Sequence, residues 1–97
     1  MLFTVLYRPG PQWNHERSLF DQEDIKDHRD FLRARFGDAT LVMGGPFLDD
    51  SGGISIFRSD SQDELEDVLR SDPTIARGLQ IYEIHPCALP FAPVELE

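Results

Sequence analysis

His28 lies in Asp27-His28-Arg29-Asp30-Phe31-Leu32, where apolar residues recur with helical spacing. At about 100° per residue, Ile25, His28, Leu32 and Phe36 share one arc of a helix, with Phe31 at its edge. An imidazole set in an apolar face is desolvated by packing and needs a hydrogen-bond partner. A second pointer is Asp72, in Ser71-Asp72-Pro73-Thr74, where a carboxylate precedes a turn forced by proline. A carboxylate on one imidazole nitrogen fixes the tautomer and leaves the other nitrogen to move a proton. His28 and Asp72 are therefore the candidate acid/base pair. A plainer account is also open. His28 could bond a backbone carbonyl in the core. Asp72 could be an N-cap, with Pro73 as first residue of a short helix through Thr74 to Arg77, ended by Gly78.

Other residues suggest how a ligand is held. Gly44-Gly45-Pro46 could expose backbone N–H groups to an anion, because glycine permits close approach, so Gly45 and Pro46 are candidate binding residues. A simple strand end is the alternative. Arg8 and Arg58 end two strands expected to be parallel neighbours, which would set two guanidiniums side by side as a carboxylate clamp. Exposed surface charge is the alternative there. Trp13 and His15 could form a lid, or Trp13 could cover the core. A zinc site from His15, His28, His85 and Cys87 is not expected, because these lack standard ligand spacing. No Gly-x-Gly-x-x-Gly, Walker or Ser-His-Asp signature occurs, so no cofactor and no metal are expected.

The elements that must position these groups can be read in order. Leu2 to Tyr7 is β-branched and aromatic and is stopped by Arg8-Pro9-Gly10-Pro11, which predicts a strand. After a loop from Arg8 to Arg17, a helix opens with Ser18 or Asp21 as N-cap and has Gly37 as the residue beyond its end. Ala39 to Met43 and Ile54 to Phe57 form a hairpin around Asp49-Asp50-Ser51-Gly52-Gly53. Ser61-Gln62-Asp63-Glu64 is a capping box opening a second helix with Leu65, Val68 and Leu69 on one face. That helix must stop near Asp72, before Pro73. Leu79 to Ile84 alternates as the last strand, and Pro86 to Glu97 reads as an extended proline-rich tail.

The order β-α-β-β-α-β predicts an α+β, ferredoxin-like domain: a four-stranded antiparallel sheet with two helices on one face. One domain accounts for residues 1–97. Its helix-free face carries apolar alternates, which predicts a face-to-face homodimer. With 18 acidic against 9 basic residues the net charge is −9, so nucleic acid and anionic membrane surfaces are not expected partners. Lys26 is the only lysine, which argues against Schiff-base and P-loop chemistry. A lone Cys87 suits a reducing cytosol. No apolar run approaches the roughly 20 residues that span a bilayer. Met1 to Tyr7 is too short for a signal peptide and lacks a basic start. The expected location is the cytoplasm.

Taken together, these motifs resemble the YciI-like, or YCII-related, domain family. The carrying residues are His28 with Phe31-Leu32, Gly45-Pro46-Phe47, Asp49-Asp50 with Gly52-Gly53, Asp72-Pro73, and Gly78-Leu79, spanning about residues 22 to 86. The resemblance implies a dimeric α+β-barrel with a pocket beside a His-Asp pair. His28 matches the family histidine and Asp72 the family aspartate. One branch is a dehydrochlorinase acting on a chlorinated, muconate-type ring-cleavage product. Members often carry an aromatic after the proline that ends the last strand, whereas Cys87 follows Pro86 here. The expected function is a cofactor-free His/Asp acid/base enzyme, of lyase or isomerase type, acting on a small carboxylated molecule. The alternative is a small-ligand-binding or dimerisation module without turnover.

Overall fold

The computed structural model describes residues 1–96. It contains β1 (Leu2–Pro9), a single 3₁₀ turn (Leu19–Asp21), α1 (Ile25–Gly37), β2 (Leu41–Pro46), β3 (Gly53–Arg58), α2 (Gln62–Leu69), α3 (Pro73–Ala76) and β4 (Gln80–Cys87). The strands form one sheet in the order β2-β3-β1-β4, with every neighbouring pair antiparallel. This is the ferredoxin-like arrangement.

Strand alternation sorts the side chains onto two faces. Phe3, Val5, Tyr7 and Phe57 point to one side and pack with Leu65 and Leu69 of α2, Leu32 of α1 and Ile75 of α3. Leu65 and Leu69 are fully buried, and each contributes about 1.5–3 kcal/mol on burial. Leu2 and Ile56 point to the other side. No helix covers them there. Leu96, Leu89 and Ala92 of the C-terminal segment pack against them instead.

Local chemistry explains most element ends. Ser61 Oγ accepts from the Glu64 N–H at 3.1 Å, which starts α2. Asp72 Oδ1 accepts from the Thr74 N–H at 3.0 Å, and Pro73 follows as first helical residue of α3. The β2–β3 turn closes with Phe47 N–H donating to Gly52 C=O at 2.8 Å. Gly52 has φ +144°, and a Cβ there would collide with the Tyr7 carbonyl, so only glycine fits.

Several boundaries differ from expectation. Ser18 and Asp21 do not cap α1. Ser18 Oγ donates to Asp21 Oδ2 within the 3₁₀ turn, and α1 starts after Asp24, whose φ is 64°. Gly37 is the last residue of α1 rather than the residue beyond it. The left-handed position is Ala39 (φ 65°), reached because Asp38 Oδ1 accepts from the Thr40 N–H and bends the chain. A helical wheel gives direction and not depth: Phe36, on the predicted buried arc, is 62% exposed. β4 runs through Pro86 and Cys87, so the tail begins at Ala88. Proline is accommodated because β4 is an edge strand, where one missing N–H breaks no inner ladder.

The expected pairing of Arg8 with Arg58 is also corrected. β1 and β3 are antiparallel, so Arg58 lies opposite Leu2, at the far end of the ladder from Arg8. The two positions are six residue steps apart along β1, about 20 Å at strand rise. They cannot form one clamp. Arg8 pairs with Glu83. Arg58 donates from Nε and Nη2 to the Leu96 carbonyl (2.9 and 2.6 Å) and from Nη1 to Ala39 C=O at 3.2 Å. It ties the tail to the sheet.

Candidate active site

His28 and Asp72, 44 residues apart, meet beneath the helices. His28 Nδ1 lies 2.5 Å from Asp72 Oδ2. Asp72 is completely buried and His28 is 8% exposed. The second carboxylate oxygen, Oδ1, accepts from the Thr74 N–H at 3.0 Å and from the Thr74 hydroxyl at 2.8 Å. Oδ1 thus meets two donors, and with the carboxylate accepting at Oδ2 as well, the tautomer assigned to His28 carries its proton on Nδ1. Nε2 of His28 has no hydrogen-bond partner among the described residues.

Asp72 thus caps a helix and bonds His28 at once. One oxygen caps α3 and the other holds His28. Gln80, the first residue of β4, extends the chain of contacts by donating from Nε2 to Thr74 Oγ1 at 3.1 Å. Tyr7 packs its ring against His28 edge-on, with centroids 5.3 Å apart at 77°. Thr74, Gln80 and Tyr7 are absent from the expected site. Thr74 alone had a sequence signal, a hydroxyl two residues after the capping aspartate.

His28 opens onto a cavity of about 100 Å³. Ile25 and Leu32 form its α1 wall. Gly45, Pro46, Gly52 and Gly53 form the hairpin wall, so Gly45 and Pro46 line the same cavity as His28. Leu19 and Phe20 of the 3₁₀ turn close a third side. Trp13 does not. It is buried with Leu19, Ile25 and Leu79, while His15 is exposed. Gln22 holds this loop in shape by accepting from the Asn14 N–H and donating to the carbonyls of Asn14, Arg17 and Ser18. The loop is joined to the hairpin where the Leu19 N–H donates to Asp50 Oδ1 at 3.2 Å.

The inner wall carries two polar groups, Tyr7 and Ser55, whose buried hydroxyls complete no hydrogen bond with another described group. Burial pushes the Tyr7 phenol above its ordinary range. The nearby Ser55 hydroxyl partly offsets this, and the charge on Asp72 adds to it. Tyr7 consequently stays a neutral donor at any physiological pH. Among the described residues no three His, Cys, Asp or Glu side chains converge as a metal site. Among the described residues no helix is long and apolar enough to cross a membrane.

The family model for the YCII-related domain matches residues 1–88. The chain belongs to the YCII-related domain family. Within that family's reach, YjpA of Bacillus subtilis (strain 168), described as an uncharacterized protein, is 36% identical over 59 residues, covering 61% of this chain and 69% of YjpA. Two enzymes share the fold of this YCII-related chain. One is 5-chloro-2-hydroxyhydroquinone dehydrochlorinase (TftG) from Burkholderia phenoliruptrix AC1100, solved with 2,5-dihydroxybenzoquinone. Its TM-score is 0.71 at 22% identity, over 91% of this chain and 94% of that one. The other is muconolactone isomerase, with TM-score 0.69 at 17% identity, over 98% and 97% of the two chains. That dehydrochlorinase is named for an intact chlorinated hydroquinone, not for the ring-cleavage product the sequence resemblance suggests. At these identities the likeness is one of fold.

Proposed function

We propose that this YCII-related protein is an acid/base enzyme, of isomerase or lyase type, that acts on a small organic acid without a cofactor. The observation that carries this reading is the His28–Asp72 pair at 2.5 Å, with His28 lining a cavity and its Nε2 unpartnered among the described residues. Nε2 takes a proton from carbon on one side of the bound molecule. The imidazolium that forms is stabilised by Asp72, which is already oriented by Thr74. The proton is then returned to another carbon (isomerisation), or a leaving group departs (elimination). Both enzymes that share the fold are named for reactions of these two types.

The direct test is hydrogen exchange. Small unsaturated and 2-oxo acids are incubated with the protein in D₂O and followed by ¹H NMR. Exchange of carbon-bound hydrogen by the wild type, and none by His28→Gln, is the expected result. Saturable binding without exchange across the panel would replace this reading with that of a binding module.

The working unit in this reading is a cytoplasmic homodimer closed across the helix-free sheet face. On or beside that face, Met43, Ile81 and Phe91 are 45%, 47% and 99% exposed, which is costly for a lone protomer. Sedimentation equilibrium at micromolar concentration should give twice 11.1 kDa.

A further inference from the structure

We propose that Arg29 anchors the carboxylate of the ligand at the mouth of the His28 cavity, so that the cavity selects organic acids over their neutral analogues. This rests on reading the cavity as the ligand site, and it names the residue that sets the ligand's charge.

The chain carries a net charge of −9, so most of its surface repels anions. The cavity is an exception. Among its lining residues are no Asp and no Glu, and Arg29 is the one permanently charged side chain. Asp72 lies behind His28 and is completely buried. Arg29 also differs from most other cations of the chain. Arg8, Lys26, Arg35, Arg70 and Arg77 are ion-paired, and Arg58 is held by carbonyls. Arg29 makes no ion pair or hydrogen bond with any described residue. Arg17 and Arg33 are likewise unpaired, but neither lines the cavity.

Size and position point the same way. A cavity of about 100 Å³ is smaller than the roughly 150 Å³ that encloses a benzene ring, so a ring-sized ligand seats only its apolar body. Its charged end stays at the rim, where the exposed Arg29 and Phe20 stand. Arg29 and His28 line the same cavity, so a ligand held at the rim by the guanidinium extends into the space that the imidazole borders. A guanidinium that meets a carboxylate through two parallel N–H donors fixes orientation as well as position.

The test is isothermal titration of the full chain with benzoate and benzamide as probes, which match in shape and differ in charge. The wild type should bind benzoate about tenfold more tightly, a preference that shrinks as salt is raised. Arg29→Met should bind both probes equally, with benzamide affinity and melting temperature unchanged. Arg29→Lys should keep part of the preference. His28→Gln should keep all of it, which separates this proposal from the proton-transfer reading judged by exchange in D₂O. Equal binding of the two probes by the wild type, binding of neither at millimolar concentration, or a preference that survives in Arg29→Met would each overturn the assignment.

Discussion

The two faces of this sheet solve the problem of cover differently. On the helix side, polar groups are buried and almost all of them are answered: Gln80 donates to Thr74, Thr74 to Asp72, and Asp72 accepts from His28. On the other side the cover is a single extended segment, held by one guanidinium gripping the Leu96 carbonyl. A connected network deep in the fold cannot be opened at one point without leaving other groups unpaired. A tether on the surface can. The first face can therefore hold a reactive side chain in one orientation, whereas the second can only be covered or uncovered.

Substitution at Asp72 should break this contrast most sharply. Asp72→Ala removes a helix cap and leaves buried donors on His28 and Thr74 unanswered, an expected loss of about 2–4 kcal/mol in urea unfolding. Asp72→Asn keeps the cap and should fold, but it cannot balance an imidazolium. Turnover should fall about 10²–10⁴-fold, with a change in the His28 tautomer visible by ¹⁵N NMR.

Gly52→Ala attacks the same face through the backbone. The left-handed φ and the collision with the Tyr7 carbonyl should cost about 2–3 kcal/mol and distort the cavity wall. By contrast, no atom lies within 4 Å of where a Gly45 Cβ would stand. Gly45→Ala should fold normally and merely narrow the cavity, which thermal melts and probe titration would separate.

Arg58→Met addresses the other face. Loss of the tether should cost about 1 kcal/mol and loosen the tail, seen as faster amide exchange at Leu96, while probe affinity at the cavity is unchanged. An equal loss on both faces would mean that the tail supports the site and that the contrast is false.

The smallest expected effect is a dependence on pH. The Tyr7 phenol is raised above the ordinary 10.0 because burial disfavours its anion. The folded state therefore keeps this proton to higher pH than the unfolded chain does. Its contribution is complete below about pH 10 and is lost as pH rises beyond that point. Melts between about pH 9 and 11 should show a decline that is shallower in Tyr7→Phe.

What could be read from the sequence follows the range of the interactions concerned. Ser61 with Glu64 and Asp72 with Pro73 act within a few residues, and both appear as expected. The ferredoxin-like class followed from the order of elements. The His28–Asp72 contact spans 44 residues, and periodicity could supply only its first member. Asp72 came from turn chemistry and from family resemblance. Strand direction proved decisive for Arg8 and Arg58: an error there moved a supposed clamp to opposite ends of a ladder. Gln80, Tyr7 and Ser55 looked like ordinary strand residues, because nothing local marks which strand positions will border a cavity.

Asp72 serves two masters with two oxygens, and this shapes what drift can do to the chain. If a lineage no longer needed the proposed chemistry, His28 could give way to another hydrogen-bond donor that answers Oδ2, whereas Asp72 would still be kept by the helix it starts. The aspartate thus outlives the chemistry. Among relatives of this chain, retention of Asp72 speaks for an intact fold, and only the imidazole facing it speaks for the proposed acid/base site.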